Sequence, residues 1–165
     1  MAYLPSPHPP SAADRIAQAC LATYHPLEAK YKPKARSNGV REWTVLAGIV
    51  LHSTSSLKGK EKATAEDDEG YTCVSLGTGV KVLSERALPV HGDALHDSHA
   101  EVLARRGFVC FLLQEAQRHR DGAQSPWVEP SEDGSMQLRE GVEVHLYVST
   151  LPVRALSLQV LISVW

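Results

Sequence analysis

The chain has 165 residues, a formal net charge of -2 and a hydrophobic fraction of 43%, so it is long enough for one domain with a buried core. A net charge this small excludes binding of nucleic acid through an overall basic field and leaves only a local patch for that purpose. No apolar run reaches the roughly 20 residues of a membrane span, and neither the N-terminal sequence nor the three widely spaced cysteines are typical of secretion. We expect a soluble intracellular protein, in the cytoplasm or nucleus, with no membrane contact; no feature identifies a protein partner.

The first third of the chain predicts a loose segment, a helix and a basic loop. Residues 1–10 are rich in proline and are expected to be disordered. Ser11 or Asp14 then caps an apolar-periodic segment that predicts a helix. The next stretch is broken by proline and glycine, and its cations either contact RNA phosphates or form a solvated loop. These cations are Lys30, Lys32, Lys34, Arg36 and Arg41.

Two apolar stretches in the middle of the chain predict strands. The run Trp43–Ser53 has the composition and length of a strand buried on both faces. The mixed-charge residues 57–70 are typical of a flexible insertion. The segment 71–83 then predicts a second strand, which bends or ends at Gly77 and Gly79.

The second half of the chain predicts one long helix and one further strand. Residues from Asp97 to about Arg118 are compatible with a helix throughout, with only Gly107 against it. A polar loop over 121–135 and a strand over 142–150 follow. The order strand, strand, helix, strand predicts an α/β fold.

The start of the long helix, in the sequence HDSHAEVLARRGF, carries an unusual amount of charge. One interpretation is that His99 binds Zn²⁺ while Glu101 moves protons, because side chains of a first helical turn can flank one cavity. The alternative is an ordinary helix start, in which Asp97 or Ser98 is the N-cap and the helix dipole favours Glu101. A His-x-Glu triplet is common by chance, so the spacing alone favours the alternative.

Two arginines follow in the same helix. A regular helix puts Arg106 in one stripe with apolar residues, so we expect a buried Arg106 that requires an anion, either a carboxylate or a phosphate-bearing ligand. Arg105 could reach the same anion. The alternative is that Arg106 extends to water past a loosely packed end. The apolar residues of the stripe are Val102, Leu103, Val109, Cys110 and Leu113.

Four blocks in a fixed order resemble a known family. REWTVLAGIV (41–50), GTGVK (77–81), DSHAEVLARR (97–106) and LYVSTLP (146–152) are similar to blocks of the eukaryotic tRNA-specific adenosine deaminases, in the adenosine-to-inosine editase family. The resemblance covers residues 11–152 and only the N-terminal part of the family's catalytic domain. It implies a cytidine-deaminase-like three-layer α/β sandwich, incomplete here because its second half is missing.

The resemblance also implies roles for the matched residues. His99 would be the first zinc ligand, Glu101 the general acid/base in hydrolytic deamination of a tRNA adenosine to inosine, and Asp97 part of a hydrogen-bond relay. Val80 and Lys81 would approach the target nucleotide, and Arg105 and Arg106 would contact a buried inositol hexakisphosphate. From the basic loop, Lys32 and Lys34 are the cations that we expect to bind tRNA.

The sequence departs from the family after Pro152. The family continues with a cysteine ligand and has a second cysteine further on, whereas this chain has Val153 and an apolar tail over 153–165. Cys110 cannot replace them, because it lies about 16 Å from His99 along a helix and Zn²⁺ bonds are only about 2.1 to 2.3 Å long. We therefore expect an incomplete zinc site and an inactive or nearly inactive chain.

Three functions follow from these readings. The first is a zinc-dependent tRNA adenosine deaminase, represented by an incomplete chain. The second is a non-catalytic RNA-binding remnant or the product of a truncated gene model, and the third is an unrelated α/β domain. The four ordered blocks favour the first two.

Overall fold

The computed structural model describes residues 9–34, 37–40, 42–54, 70–84, 86, 89, 91 and 94–150. Predictions for the N-terminal residues 1–8, the insertion at 57–69 and the tail at 153–165 lie outside the described residues, as do those for Arg36 and Arg41. In the described part of the chain, no helix has the length and apolar character needed to cross a bilayer.

The centre of the fold is a three-stranded antiparallel sheet in the order β2-β1-β7. Strand β1 (Leu46–Ser53) pairs with β2 (Tyr71–Thr78) on one side and with β7 (Val142–Val148) on the other. The first six residues of β1 are buried, which confirms a strand covered on both faces. The predicted start at Trp43 is wrong, because pairing begins at Leu46.

Helix α1 (Ala12–Tyr24) covers one face of the sheet. Both predicted capping residues take part in its start: Asp14 N donates to Ser11 Oγ at 3.3 Å, and Ser11 N donates to the Asp14 carboxylate at 2.9 Å. This reciprocal capping box satisfies two backbone donors that the helix itself leaves free. A single turn of 3₁₀ helix (Ala29–Tyr31) follows in the basic loop.

Helix α2 (Ala100–Arg120) covers the opposite face of the sheet. Apolar side chains of β1 pack there against the buried side of the helix, and the residues involved are Ala47, Ile49, Leu51, Ala100, Ala104 and Phe108. The sheet thus lies between two helices, which confirms the predicted three-layer α/β architecture.

The long helix begins three residues later than predicted. Residues Asp97–His99 form a short strand, β4, that pairs antiparallel with β3 (Val80–Val82). Backbone pairing of these residues with β3 competes with helix formation, so α2 starts at Ala100. The N-cap is therefore His99, whose side chain makes no capping hydrogen bond, and not Asp97 or Ser98.

The prediction of a buried Arg106 is wrong, because Arg105 and Arg106 are both exposed. The buried side of α2 follows Ala100, Ala104 and Phe108. Since each residue of a helix turns by about 100°, Arg106 points almost opposite to Ala104. The large apolar side chains that seemed to define a buried stripe lie outside the core, with Leu113 64% exposed.

Small residues allow α2 to approach β2 closely. Ser75 Oγ donates a hydrogen bond to the carbonyl of Ala104 at 2.7 Å. A Cβ atom at Gly107 would collide with Ser75 Oγ, and one at Gly77 would collide with the carbonyl of Ala100. Gly107, which is unfavourable for a helix by propensity alone, is thus required by the packing.

The segment predicted as a loop over 121–135 contains part of a hairpin, formed by β5 (Val128–Pro130) and β6 (Met136–Leu138). It is attached to α2 through the buried carboxylate of Glu115, which accepts hydrogen bonds from Ser125 Oγ at 2.5 Å and Arg118 Nη1 at 2.7 Å. These two donors offset the cost of burying the charge.

Two cysteines connect α1 to the sheet. A hydrogen bond between the thiols of Cys20 and Cys73 lowers the pKa of Cys73 to about 7 and, together with burial, raises the pKa of Cys20 above its ordinary range. The pair therefore releases one proton readily and retains the other.

The contact between Gly107 and Ser75 predicts strongly coupled mutations. In a Ser75→Ala background, a Cβ at residue 107 keeps an ordinary contact of 3.5 Å with the Cβ of residue 75, so Gly107→Ala should stabilise the chain by about 1 kcal/mol through helix propensity. In the unmodified chain, Gly107→Ala must displace the hydroxyl of Ser75. The substitution should then give no gain in stability or should destabilise the chain. Urea unfolding of the four variants measures the coupling, and equal effects in both backgrounds would contradict the contact.

The thiol pair predicts a pH-dependent reactivity. With Cys110 replaced by serine, alkylation of Cys73 by iodoacetamide should rise with pH to a midpoint near the lowered pKa of about 7, since the thiolate is the reactive form. Cys20→Ala removes the donor and should move the midpoint upward by about one unit or more. Cys20→Ser retains a donor and should keep the midpoint low. A profile that is the same in all three proteins would exclude this hydrogen bond as the cause.

Candidate functional site

The ribbon formed by β3 and β4 places two predicted nucleotide-contacting residues beside the predicted zinc ligand. Val80 pairs with His99, and Lys81 pairs with Ser98. The carbonyl of Gly79 accepts a hydrogen bond from Ala100 N at 3.2 Å, which ties the end of β2 to the first residue of α2. A Cβ atom at Gly79 would collide with the backbone of Ser98, so this close approach requires glycine.

Asp97 holds His99 in a defined orientation. One carboxylate oxygen of Asp97 lies 2.9 Å from both the backbone nitrogen and the ring Nδ1 of His99. With Nδ1 engaged by a carboxylate, Nε2 is the ring atom available to a metal ion, and this arrangement is common for histidine ligands. The side chains of Asp97 and His99 are about two-fifths exposed, so the imidazole is accessible from solvent.

Glu101 lies in the first turn of α2 and is partly buried. Asp97, His99 and Glu101 therefore share one strand-to-helix junction. In the part of the chain that the structure describes, three side chains lie close enough together to ligate one metal ion, and His99 is not one of them. The described residues around His99 therefore do not supply the three protein ligands that a catalytic zinc site normally has.

A cleft of about 530 Å³ opens next to this junction. It brings together three of the predicted RNA-contacting residues, Lys32, Val80 and Lys81, and Ser98 of β4 also lines it. Lys34 is exposed but does not line the cleft. The backbone carbonyl of Lys34 instead accepts a hydrogen bond from Glu42 N at 3.1 Å.

Two aromatic side chains of the cleft were not predicted as site residues. Trp43 is 72% exposed and Tyr31 is 55% exposed, and both line the cleft beside its lysines. Exposed rings next to cations are typical of surfaces that stack unpaired bases. Trp43 was predicted as the first residue of the buried strand, although the polar residues Glu42 and Thr44 on either side of it were a signal of exposure.

The lysines of the cleft differ in their contacts. Lys32 Nζ donates to the carbonyl of His25 at 2.5 Å, at the C-terminal end of α1, and lies over the ring of Tyr24. Lys32 therefore has a structural role in addition to any contact with RNA. Lys81 is exposed and forms no ion pair with another described residue, so its charge faces the cleft uncompensated.

Arg105 and Arg106 lie outside this cleft. They are on the exposed surface of α2, and neither forms an ion pair within the described part of the chain. A buried polyanion needs cations that are themselves enclosed. The contact of these two arginines with inositol hexakisphosphate therefore stays a prediction.

Comparisons with known proteins agree with the resemblance of the blocks. The family model of the adenosine-deaminase (editase) domain matches residues 75–158. The chain is 34% identical to the tRNA-specific adenosine deaminase 1 of Schizosaccharomyces pombe over 154 residues, which covers 90% of this chain and 36% of the relative. Over 105 residues it is 41% identical to the protein of the same name from Drosophila melanogaster, covering 64% of this chain and 22% of that relative.

A shorter stretch of the chain is similar to a second group of proteins. The chain is 37% identical over 81 residues to the double-stranded RNA-specific adenosine deaminase of Rattus norvegicus, covering 48% of this chain and 7% of the relative. The chain thus spans about a third or less of the length of these curated relatives.

Proposed function

The chain belongs to the adenosine-deaminase (editase) domain family, and we propose that it forms the N-terminal part of a catalytic domain that converts adenosine to inosine in tRNA by hydrolytic deamination. The observation that carries the proposal is the junction at which Asp97 orients His99, two residues before Glu101 and beside a basic cleft. The names of the relatives with tRNA specificity support tRNA as the substrate. A tRNA substrate also supports a location in the cytoplasm or nucleus.

Each residue of the junction has a distinct role in this proposal. Nε2 of His99 would bind Zn²⁺, while Asp97 keeps Nδ1 occupied and fixes the ring. The chemistry that bound Zn²⁺ supplies at such a site is the activation of water. Glu101 would not bind the metal. Its carboxylate would take one proton from the attacking water and pass it to a ring nitrogen of the purine, and would then take the second proton from the newly added hydroxyl group and pass it to the amino group that leaves as ammonia.

The remaining zinc ligands are not among the residues around His99 that the structure describes. Val153, which replaces the expected cysteine, lies outside the described residues. The expectation of low activity depends on that position, and a direct assay for inosine tests it. Binding of inositol hexakisphosphate by Arg105 and Arg106 stays a prediction; both side chains lie on the exposed surface of α2, where an anion can reach them.

The cleft supplies the contact with RNA in this proposal. Lys81 attracts phosphate groups, and Trp43 and Tyr31 offer rings for unpaired bases next to the junction. Deaminases of this chemistry need an unstacked base, because the reacting carbon of adenine is inaccessible within a helix. Exposed aromatic rings beside the ribbon are suited to hold the neighbours of such a base.

A second candidate function is RNA binding without catalysis. The specific observation in its favour is the same cleft. Its lysines and exposed aromatic rings lie in the described part of the chain, whereas a set of three metal ligands that includes His99 does not. The two functions differ in whether inosine is formed.

Glu101→Gln tests the catalytic function. If the chain deaminates tRNA, the substitution should lower the rate of inosine formation by about 100-fold or more, since an amide cannot exchange the proton, while tRNA affinity stays the same. Glu132→Gln, an exposed residue of the hairpin segment, is the matched control and should keep full activity. Inosine in purified tRNA is measured after nuclease digestion. A chain that binds tRNA but forms no inosine would favour the second function.

Trp43→Ala tests the cleft. Loss of one stacking platform should weaken tRNA binding by about 5-fold to 100-fold, whereas Trp43→Phe should retain most of the affinity. Lys81→Glu should weaken binding and reduce its dependence on salt, while Lys34→Glu, just outside the cleft, should have a smaller effect. Filter binding at several salt concentrations measures these differences. Equal losses for Lys34→Glu and Lys81→Glu would place the RNA elsewhere.

A further inference from the structure

Three side chains that could ligate a metal ion meet at the end of the sheet remote from the cleft. His52 lies near the end of β1, and Glu143 and His145 lie in β7. Residue 52 is six positions along β1 from Leu46, which places this cluster about 20 Å from the strand end beside the cleft. The cluster is therefore separate from the junction that contains His99.

The strand register brings the three residues to one face of the sheet. His52 is directly opposite Glu143, and Val50 is directly opposite His145. Because residues two apart in a strand point to the same side, all three side chains share the face on which Val50 contacts α1. Regular strands hold side chains more rigidly than loops do, so the cluster is preorganised.

The distances within the cluster suit a metal ion. Oε2 of Glu143 lies 3.3 Å from His52 Nδ1 and 3.4 Å from His145 Nε2, and the three ligand atoms all lie within 4.8 Å of one another. In a tetrahedral zinc site with bonds of about 2.0 to 2.1 Å, neighbouring ligand atoms are about 3.3 Å apart. Two imidazoles and one carboxylate are a donor set that Zn²⁺ commonly takes, with a fourth position left for water.

One atom of the cluster lacks a hydrogen bond. His145 Nε2 is fully enclosed and has no hydrogen-bond partner, since its approach to Glu143 meets the distance for an ion pair but not the geometry of a hydrogen bond. A buried polar atom without a partner costs about 1 to 3 kcal/mol. A coordinate bond from Nε2 to a metal would remove that cost.

Tyr71 supports the orientation of His52. The two rings stack with centroids 4.1 Å apart and an angle of 6° between their planes. The tyrosine ring also lies 5.9 Å from that of His145. The side chain of Glu143 is 54% exposed, so an ion and its water ligand can enter from solvent.

We propose that His52, Glu143 and His145 form a binding site for a divalent transition metal, with Zn²⁺ as the preferred ion. The alternative is an ion-pair cluster in which Glu143 lies between two imidazoles without a metal. The metal site and the ion-pair cluster differ at His145 Nε2. In the ion-pair cluster this nitrogen has no hydrogen bond, whereas a metal ion would coordinate it and link β1 to β7.

Zinc titration of the chelator-treated chain tests the proposal. Calorimetry should show Zn²⁺ bound at this site in a His99→Ala variant, in which the junction cannot contribute. In that background, His145→Ala and Glu143→Gln should each weaken binding by about 10-fold or more, while His25→Ala, at an exposed histidine elsewhere, should leave it unchanged. Zn²⁺ should also raise the melting temperature, and this shift should be lost in Glu143→Gln.

Two results would overturn the proposal: no binding of Zn²⁺ by the His99→Ala variant, or binding that survives both His145→Ala and Glu143→Gln. Because Glu143 is exposed, Glu143→Gln should fold even if His145→Ala does not, and far-ultraviolet circular dichroism checks both. Cobalt provides an independent readout. Co²⁺ should give the visible absorption of a four-coordinate site in the His99→Ala variant and lose it in Glu143→Gln.

Discussion

The close contact of α2 with β2 positions the residues at the N-terminal end of that helix for which we propose a function. The contact depends on Gly77, Gly107 and the hydroxyl of Ser75, which leave room for the helix backbone to approach the strand. Larger residues would push α2 outward and move His99 and Glu101 away from the end of β3. The geometry of the junction thus depends on these small residues as much as on the side chains of the junction itself.

Local signals in the sequence were sufficient for much of the fold. The capping residues of α1, the central buried strand and the break at Gly79 are each determined by neighbouring residues, and the structure contains all three. The family blocks assigned Asp97 to a hydrogen-bond relay and His99 to the metal, and in the structure hydrogen bonds join these two residues. Whether they act in catalysis is decided by experiment.

Other features depend on information that no short stretch contains. Side-chain size suggested a buried stripe around Arg106, but the buried side of α2 follows Ala100, Ala104 and Phe108. Small residues allow the helix backbone to approach β2 closely on that side. Trp43 was predicted as the first residue of a strand, but strand pairing begins only at Leu46. His52 and Glu143 are separated by 91 positions, so only the register between β1 and β7 brings them together.

That register connects the two ends of the sheet. A slip of one residue between β1 and β7 would turn His145 toward α2 and Leu146 toward α1, so the histidine cluster exists only when β7 is paired as observed. In the described part of the chain β7 is an edge strand, and edge strands are held on one side only. The three side chains meet only in the observed register, so a metal bound to His52, Glu143 and His145 would stabilise that register over any other. The same register also completes the core beneath α2.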